Sequence, residues 1–180
     1  MAKSRVATPK RYFEARPRVC ISIDPGRTGA IAVTNIDEQA TFRLVELVDM
    51  PLEKLQLDKR VVQRPNPEAL FQFFRRYSPR VYPLVIEQQT PRFGEGGKSV
   101  FSTAYGYGMM IGLARALGFR IYEIPPAVWK RRLQLRADKA ESRLLAATLV
   151  PRYGTLFERV RDDGRAEAIL LGYWAMTYGY

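Results

Sequence analysis

Residues 19–24, Val-Cys-Ile-Ser-Ile-Asp, form an apolar run that ends on a carboxylate. Val19, Ile21 and Ile23 alternate with the small Cys20 and Ser22 and then Asp24, the pattern of a strand covered on both faces. Pro25-Gly26 must turn, and Gly29 lets Ala30-Ile31-Ala32-Val33 return as a partner strand. A carboxylate at the tip of a buried strand needs a cation or several hydrogen bonds, because a bare buried charge is very costly. Asp24 is therefore either a turn former that caps its own loop or one member of an ionised site. The acids further along the chain decide between the two.

Charge narrows the partner. The 180 residues carry 29 Lys and Arg against 18 Asp and Glu, a net charge of +11 with a sequence pI near 10.0. Such an excess points to a polyanion, nucleic acid first and an anionic membrane second. Arg dominates the cations, and its fork suits phosphate. The absence of His removes Ser-His and Cys-His catalysis and any His-ligated zinc. Cys20 is the single cysteine, placed mid-strand as a buried thiol, so no intrachain disulfide can form. No apolar run approaches the ~18 residues of a membrane span, and residues 1–17 lack the apolar core of a secretory signal. The expected setting is intracellular, with nucleic acid. Chemistry must then come from carboxylates, lysines, hydroxyls or metal.

Residues 1–18 read as a flexible basic arm and 19–180 as a single domain. Phe42–Val48 is a third strand of an antiparallel meander, and Met50–Pro67 a basic loop. Asn66-Pro67 starts a helix with Leu70, Phe71, Phe74 and Tyr77 as its apolar stripe. Val81–Ile86 is a second buried strand, which also ends on an acid, Glu87. Gln88–Lys98 is a Gly-rich mobile loop carrying Arg92, Phe93 and Lys98. The helix over 101–117 contains Gly106, Gly108 and Gly112, each costing ~1 kcal/mol relative to Ala. Close approach of another backbone, from the same domain or from a second subunit, is the expected return. Phe119–Ile124 is the last strand. Trp129, Lys130, Arg131, Arg132, Arg136 and Lys139 follow as a cationic, Trp-flanked stretch suited to phosphate contact. Asp138 caps a helix with Glu141 as capping-box partner and a Leu144, Leu145, Thr148, Leu149 stripe. Asp163 and Glu167, four apart, share one face at the start of a C-terminal helix.

This order gives a mixed α/β sheet covered by helices. Two adjacent strands ending on Asp24 and Glu87, met by an acidic pair from the last helix, put four carboxylates in one pocket. They cannot sit together unneutralised. An all-oxygen set suits Mg²⁺ or Mn²⁺, and two ions would act on a phosphodiester that the surrounding cations hold.

The motifs Ile-Ser-Ile-Asp24-Pro-Gly, Leu-Val-Ile-Glu87-Gln, Tyr105-Gly-Tyr-Gly, Pro126-Ala-Val-Trp-Lys130, Arg136-Ala-Asp-Lys139 and Asp163-Gly-Arg-Ala-Glu167-Ala occur in that order. In this the chain resembles the RuvC-type Holliday junction resolvases of the RNase H-like superfamily, nearest the branch of plastid resolvases and phage relatives. The resemblance implies a five-stranded mixed sheet flanked by helices. It implies catalytic, metal-binding acids at Asp24, Glu87, Asp163 and Glu167, with Asp162 the alternative third ligand. Lys139 matches a lysine near the scissile phosphate and Lys130 a second one. Lys98, Arg131, Arg132, Arg92 and Phe93 are the further DNA-contacting residues, Phe93 stacking on a base at the junction centre. It also implies a homodimer through the helix 101–117, Mg²⁺ as cofactor with Mn²⁺ as substitute, two ions per site, paired symmetric nicks in four-way DNA junctions, and a setting with DNA in a bacterial or phage-infected cytoplasm or, alternatively, a plastid nucleoid. The rival readings are a nuclease of the same fold on RNA–DNA hybrid or branched DNA, and a junction-binding protein that does not cut.

Overall fold

A computed structural model describes residues 12–57, 60–91, 94–136 and 138–179 of the chain. Strands β1 (Val19–Asp24), β2 (Ala30–Ile36) and β3 (Phe42–Asp49) form the expected antiparallel meander. A hairpin of β4 (Leu52–Leu57) and β5 (Arg60–Pro65) follows, then helix α1 (Pro67–Phe74), strand β6 (Leu84–Glu87) and helix α2 (Gly97–Ala116). Strand β7 (Ile121–Ile124) leads to helices α3 (Pro126–Arg132) and α4 (Lys139–Leu149), two 3₁₀ segments, and helix α5 (Asp163–Tyr178). The main sheet has the order β3-β2-β1-β6-β7, with β6 parallel to both β1 and β7.

The central strands are buried on both faces, so each carries two cores. Ile21, Ile23, Ile31, Val33, Leu84 and Ile86 face α1 and α2, while Cys20, Ala30, Ala32 and Val85 face α3, α4 and α5. The period of two therefore assigns Asp24 to the α5 face with Cys20 and Ser22, and Glu87 to the same face with Val85. Helix α5 lies unusually close to the sheet, because a Cβ at Gly172 would stand 2.7 Å from both Ser22 Oγ and Thr34 Oγ1.

Five local expectations change. The segment expected as a basic loop over 50–67 is the β4–β5 hairpin, whose cross-strand pair Leu55–Val62 sits among charged neighbours and gives no clean alternation. Strand β6 is shorter than expected: Val81 is exposed and belongs to a turn, with its N–H donated to Ser78 O. On α1, Phe73 rather than Phe71 joins Leu70 and Phe74 in the core. On α4, Leu144 and Thr148 face solvent, and Ser142 and Ala146 are the buried positions. Asp138 caps α4 through Ala140 N, but Glu141 accepts from Arg136 N instead of closing a capping box.

Residues 12–18 of the expected arm are docked on the domain. Phe13 is buried against Tyr122, Tyr12 packs edge-on against Trp174, and the N–H groups of both Tyr12 and Phe13 donate to Gly179 O. Residues 12–18 thus dock on the C-terminal helix, and residues 1–11 lie outside the described residues. The glycines of α2 divide between the two expected uses. A Cβ at Gly106 would meet Pro65 Cγ at 3.0 Å, an internal contact with the hairpin, whereas Gly108 and Gly112 face open space.

Candidate metal centre and its arginine flank

Register brings the first two acids together. Ile23 of β1 pairs with Ile86 of parallel β6, so Asp24 and Glu87 occupy the next rung of adjacent strands. Helix α5 supplies the third, Glu167. Its approach depends on Gly164: a Cβ there would stand 2.2 Å from Thr28 O and 2.6 Å from Gly29 Cα, so only glycine lets the helix start rest on the β1–β2 turn. Gly29 is equally confined, its Cβ position 2.1 Å from Asp24 O. With these contacts in place, one carboxylate oxygen from each of Asp24, Glu87 and Glu167 lies within 4.8 Å of the others.

The cluster is short of positive charge. Lys130 Nζ stands 2.8 Å from Glu167 Oε1 and 3.9 Å from Glu87 Oε2, one ammonium among three acids. Trp129 is wholly buried and its indole N–H donates to Glu87 Oε2 at 3.0 Å, fixing that carboxylate. Gly26 N donates to Asp24 Oδ1. The Asp24 carboxyl is pushed up to about 7 by burial first and then by the charges of Glu167 and Glu87. Burial raises Glu87 as well, with Lys130 opposing it. An all-oxygen donor set that strains to ionise and already draws an ammonium fits a hard divalent cation.

Asp163 does not join the cluster. Its carboxylate accepts from Arg143 Nη1 of α4, and Lys139 Nζ lies 3.7 Å from its other oxygen. It sits one helical turn before Glu167 on the same face of α5. The neighbouring Asp162 points elsewhere, buried and bound to Arg159 and Arg165, which removes it from the ligand set. Of the expected DNA contacts, Lys98 and Arg131 are exposed, and Lys98 lines a cleft of about 400 Å³ with Arg27, Ser102 and Thr103. Arg132 stacks on the Tyr178 ring at the far end of α5, and Trp129 is a core residue rather than a phosphate neighbour. Arg92 and Phe93 lie outside the described residues. Arg143 was not anticipated; its signal is the one-turn spacing from Lys139, which puts both on one face of α4.

No family model matches the chain. The chloroplastic Holliday junction resolvase MOC1 of Chlamydomonas reinhardtii is 29% identical over 85 residues, 46% of this chain and 10% of that protein. The chain thus spans only about a tenth of that relative's length. Thermus thermophilus RuvC in complex with a Holliday junction substrate superposes with a TM-score of 0.59 at 17% identity, covering 89% of this chain and 97% of that one. The fold is that of the RuvC-type resolvases. The fowlpox virus Holliday junction resolvase (TM-score 0.52, 17% identity, 88% and 96% coverage) and the yeast mitochondrial resolvase Ydc2 (0.53, 15%, 93% and 80%) have it too. In this RuvC-like arrangement Asp24 and Glu87 lie at the ends of the adjacent parallel strands β1 and β6, and Asp163 and Glu167 lie on α5.

Proposed function

We propose that residues 19–180 act as one metal-dependent nuclease domain that resolves four-way DNA junctions by paired symmetric nicks. The observation that carries this is the convergence of Asp24, Glu87 and Glu167, drawn from three distant segments, in a chain of net charge +11. The similarity to MOC1 and the RuvC fold favour a junction as the substrate.

Asp24, Glu87 and Glu167 would hold Mg²⁺ or Mn²⁺, with Asp163 as fourth ligand and two ions per site. When bound, such ions polarise the phosphodiester and acidify an attacking water. The protein's own residues do the rest. Trp129 holds Glu87 in one orientation, and Lys130 balances the acids until a cation arrives. Lys139, its side chain 61% exposed beside Asp163, is placed to meet the phosphate to be cut. Lys98 and Arg131 contact the backbone of the junction arms, and Arg92 and Phe93 contact the DNA at its centre. Exposed Phe101 and Tyr105, with the open positions at Gly108 and Gly112, suit α2 to pack against a second copy, giving two sites for two strands. Among the described residues no helix is long and apolar enough to cross a membrane.

A synthetic four-way junction in Mg²⁺ should be cut into two nicked duplexes, and Asp24→Asn should stop cutting while keeping binding. Cleavage of RNA–DNA hybrid instead of the junction moves the substrate within the fold. Binding of junctions with no cutting in Mg²⁺ or Mn²⁺ leaves a binding module only.

A further inference from the structure

Beside the acids, across the β1–β2 turn, lies a second compartment that the metal chemistry does not use. It is a cleft of about 340 Å³ lined by Arg27, Thr28, Asp49, Arg159, Arg161 and Arg165, with Asp162 at its base. Four guanidinium groups meet two carboxylates there, so the cleft is positive where the neighbouring site is negative. Two of the four are pinned. Asp162, 1% exposed, accepts from Arg159 Nε and Nη2 and faces Arg165 Nη1 at 3.4 Å. Arg165 also grips Asp49 with a fork of 2.5 and 2.6 Å. Arg27 and Arg161 are exposed and pair with no carboxylate among the described residues, so their donors face the cleft's solvent.

The turn that walls this cleft is the turn that follows Asp24. Gly164 rests on Thr28 and Gly29, and the adjacent acids Asp162 and Asp163 take different partners, Arg159 and Arg165 for the first, Arg143 and Lys139 for the second. Arg27 also lines the cleft on the other side, with Lys98, Ser102 and Thr103. Arg27 thus borders both clefts, which lie on either side of the turn that follows Asp24.

We propose that this cleft is a phosphate subsite for the strand being cut, in which Arg27 and Arg161 hold a backbone phosphate flanking the scissile one. The ligand class is a nucleic-acid phosphodiester, and the inference rests on the nuclease reading above. Its role is to fix the register of the strand over the acids, a task suited to forked donors left free of carboxylate partners.

The test is a cycle between protein and DNA charge. Junctions carrying a single methylphosphonate at each position within a few nucleotides of the cut are bound, in metal-free buffer, by the wild-type chain and by Arg27→Gln and Arg161→Gln. Both side chains are solvent-exposed, so these variants fold. One neutral position should weaken wild-type binding about 10-fold, the size of one charge-assisted contact. The same position should cost an arginine variant nothing further, and each variant should lower the salt slope by about 1. Arg161→Lys should recover part of the loss. Additive losses at every position, or indifference of the wild type to all of them, overturn the subsite. Wild-type cutting of unmodified junctions in Mg²⁺ would then leave the nuclease reading intact, whereas a wild type that binds no junction sinks both.

Discussion

Two groups of acids flank one turn, and they are neutralised in opposite ways. Asp49 and Asp162 are each matched by guanidinium groups, and both carboxyls are held below their ordinary range, chiefly by hydrogen bonds from Arg165 and Arg159 respectively. Asp24, Glu87 and Glu167 share Lys130 among them, and burial drives Asp24 and Glu87 upward. The fold had arginines to spare and placed them on the other side of the turn. An acid cluster left poor in cations inside a strongly basic protein is one that could hold a cation from solution. Acids answered residue for residue by arginine mark architecture.

The sharpest way to break this contrast is to exchange the consequences of the two groups. Asp24→Asn should reduce junction cleavage by on the order of 10³-fold or more, since it removes ligand charge at the reacting centre. It should nevertheless raise the melting temperature in metal-free buffer at pH 8 by relieving repulsion. Asp162→Ala should do the reverse to stability. Leaving two guanidinium groups without their buried partner should cost about 3 kcal/mol, lowering the melting temperature by roughly 10 °C. If both variants melt alike, the distinction between a cation-poor and a matched group fails.

Gly164→Ala probes what the two sides share. A methyl there meets Thr28 O, and forcing α5 off the turn should cost about 1–3 kcal/mol and impair cleavage and strand binding together. Loss of one without the other would show that the compartments are held independently.

The pH response should also differ. The folded Asp24 carboxyl titrates at about 7 against an ordinary value of 3.8, so the native state keeps a proton that the unfolded chain has lost. Metal-free stability should therefore fall as pH rises from about 4 to 7 and stay low above that. Saturating Mg²⁺ should flatten the curve at its alkaline end, because bound cation replaces the proton. Thermal melts at pH 5 and 8, with and without Mg²⁺, check both signs. The smallest effect is expected for Lys130→Gln. Removing the resident ammonium should tighten Mg²⁺ binding a few-fold by calorimetry while lowering metal-free stability. Unchanged affinity would mean that Lys130 does not compete for the site.

Much of this geometry could be read from residue order, for a definite reason. Asp24 and Glu87 stand out because apolar strands tolerate few charges, and the period of two places both on one face. Asp163 and Glu167 stand out through helical spacing, yet spacing cannot say which way a carboxylate turns, and Arg143 claims Asp163. Trp129 misled because a tryptophan among cations carries no sign of which face of its short helix is buried. The β4–β5 hairpin was hidden for a related reason: its apolar residues Leu52, Leu55, Leu57, Val61 and Val62 are spaced irregularly among Glu53, Lys54, Gln56, Gln63 and Arg64, so no period of two announces the strands. The arginine cleft is assembled from the β1–β2 turn, the end of β3 and the 3₁₀ segment before α5, and only tertiary structure joins these.

The hydrogen bond from Trp129 to Glu87 has a practical corollary. The chain contains two tryptophans, and one of them touches a carboxylate of the acid cluster. When a cation draws that carboxylate's charge away, the indole's electronic surroundings change, so emission colour becomes a gauge of site loading. Trp174, packed against Tyr12, supplies an internal reference in the same spectrum. The molecule carries its own lamp for watching its centre fill, with no dye attached.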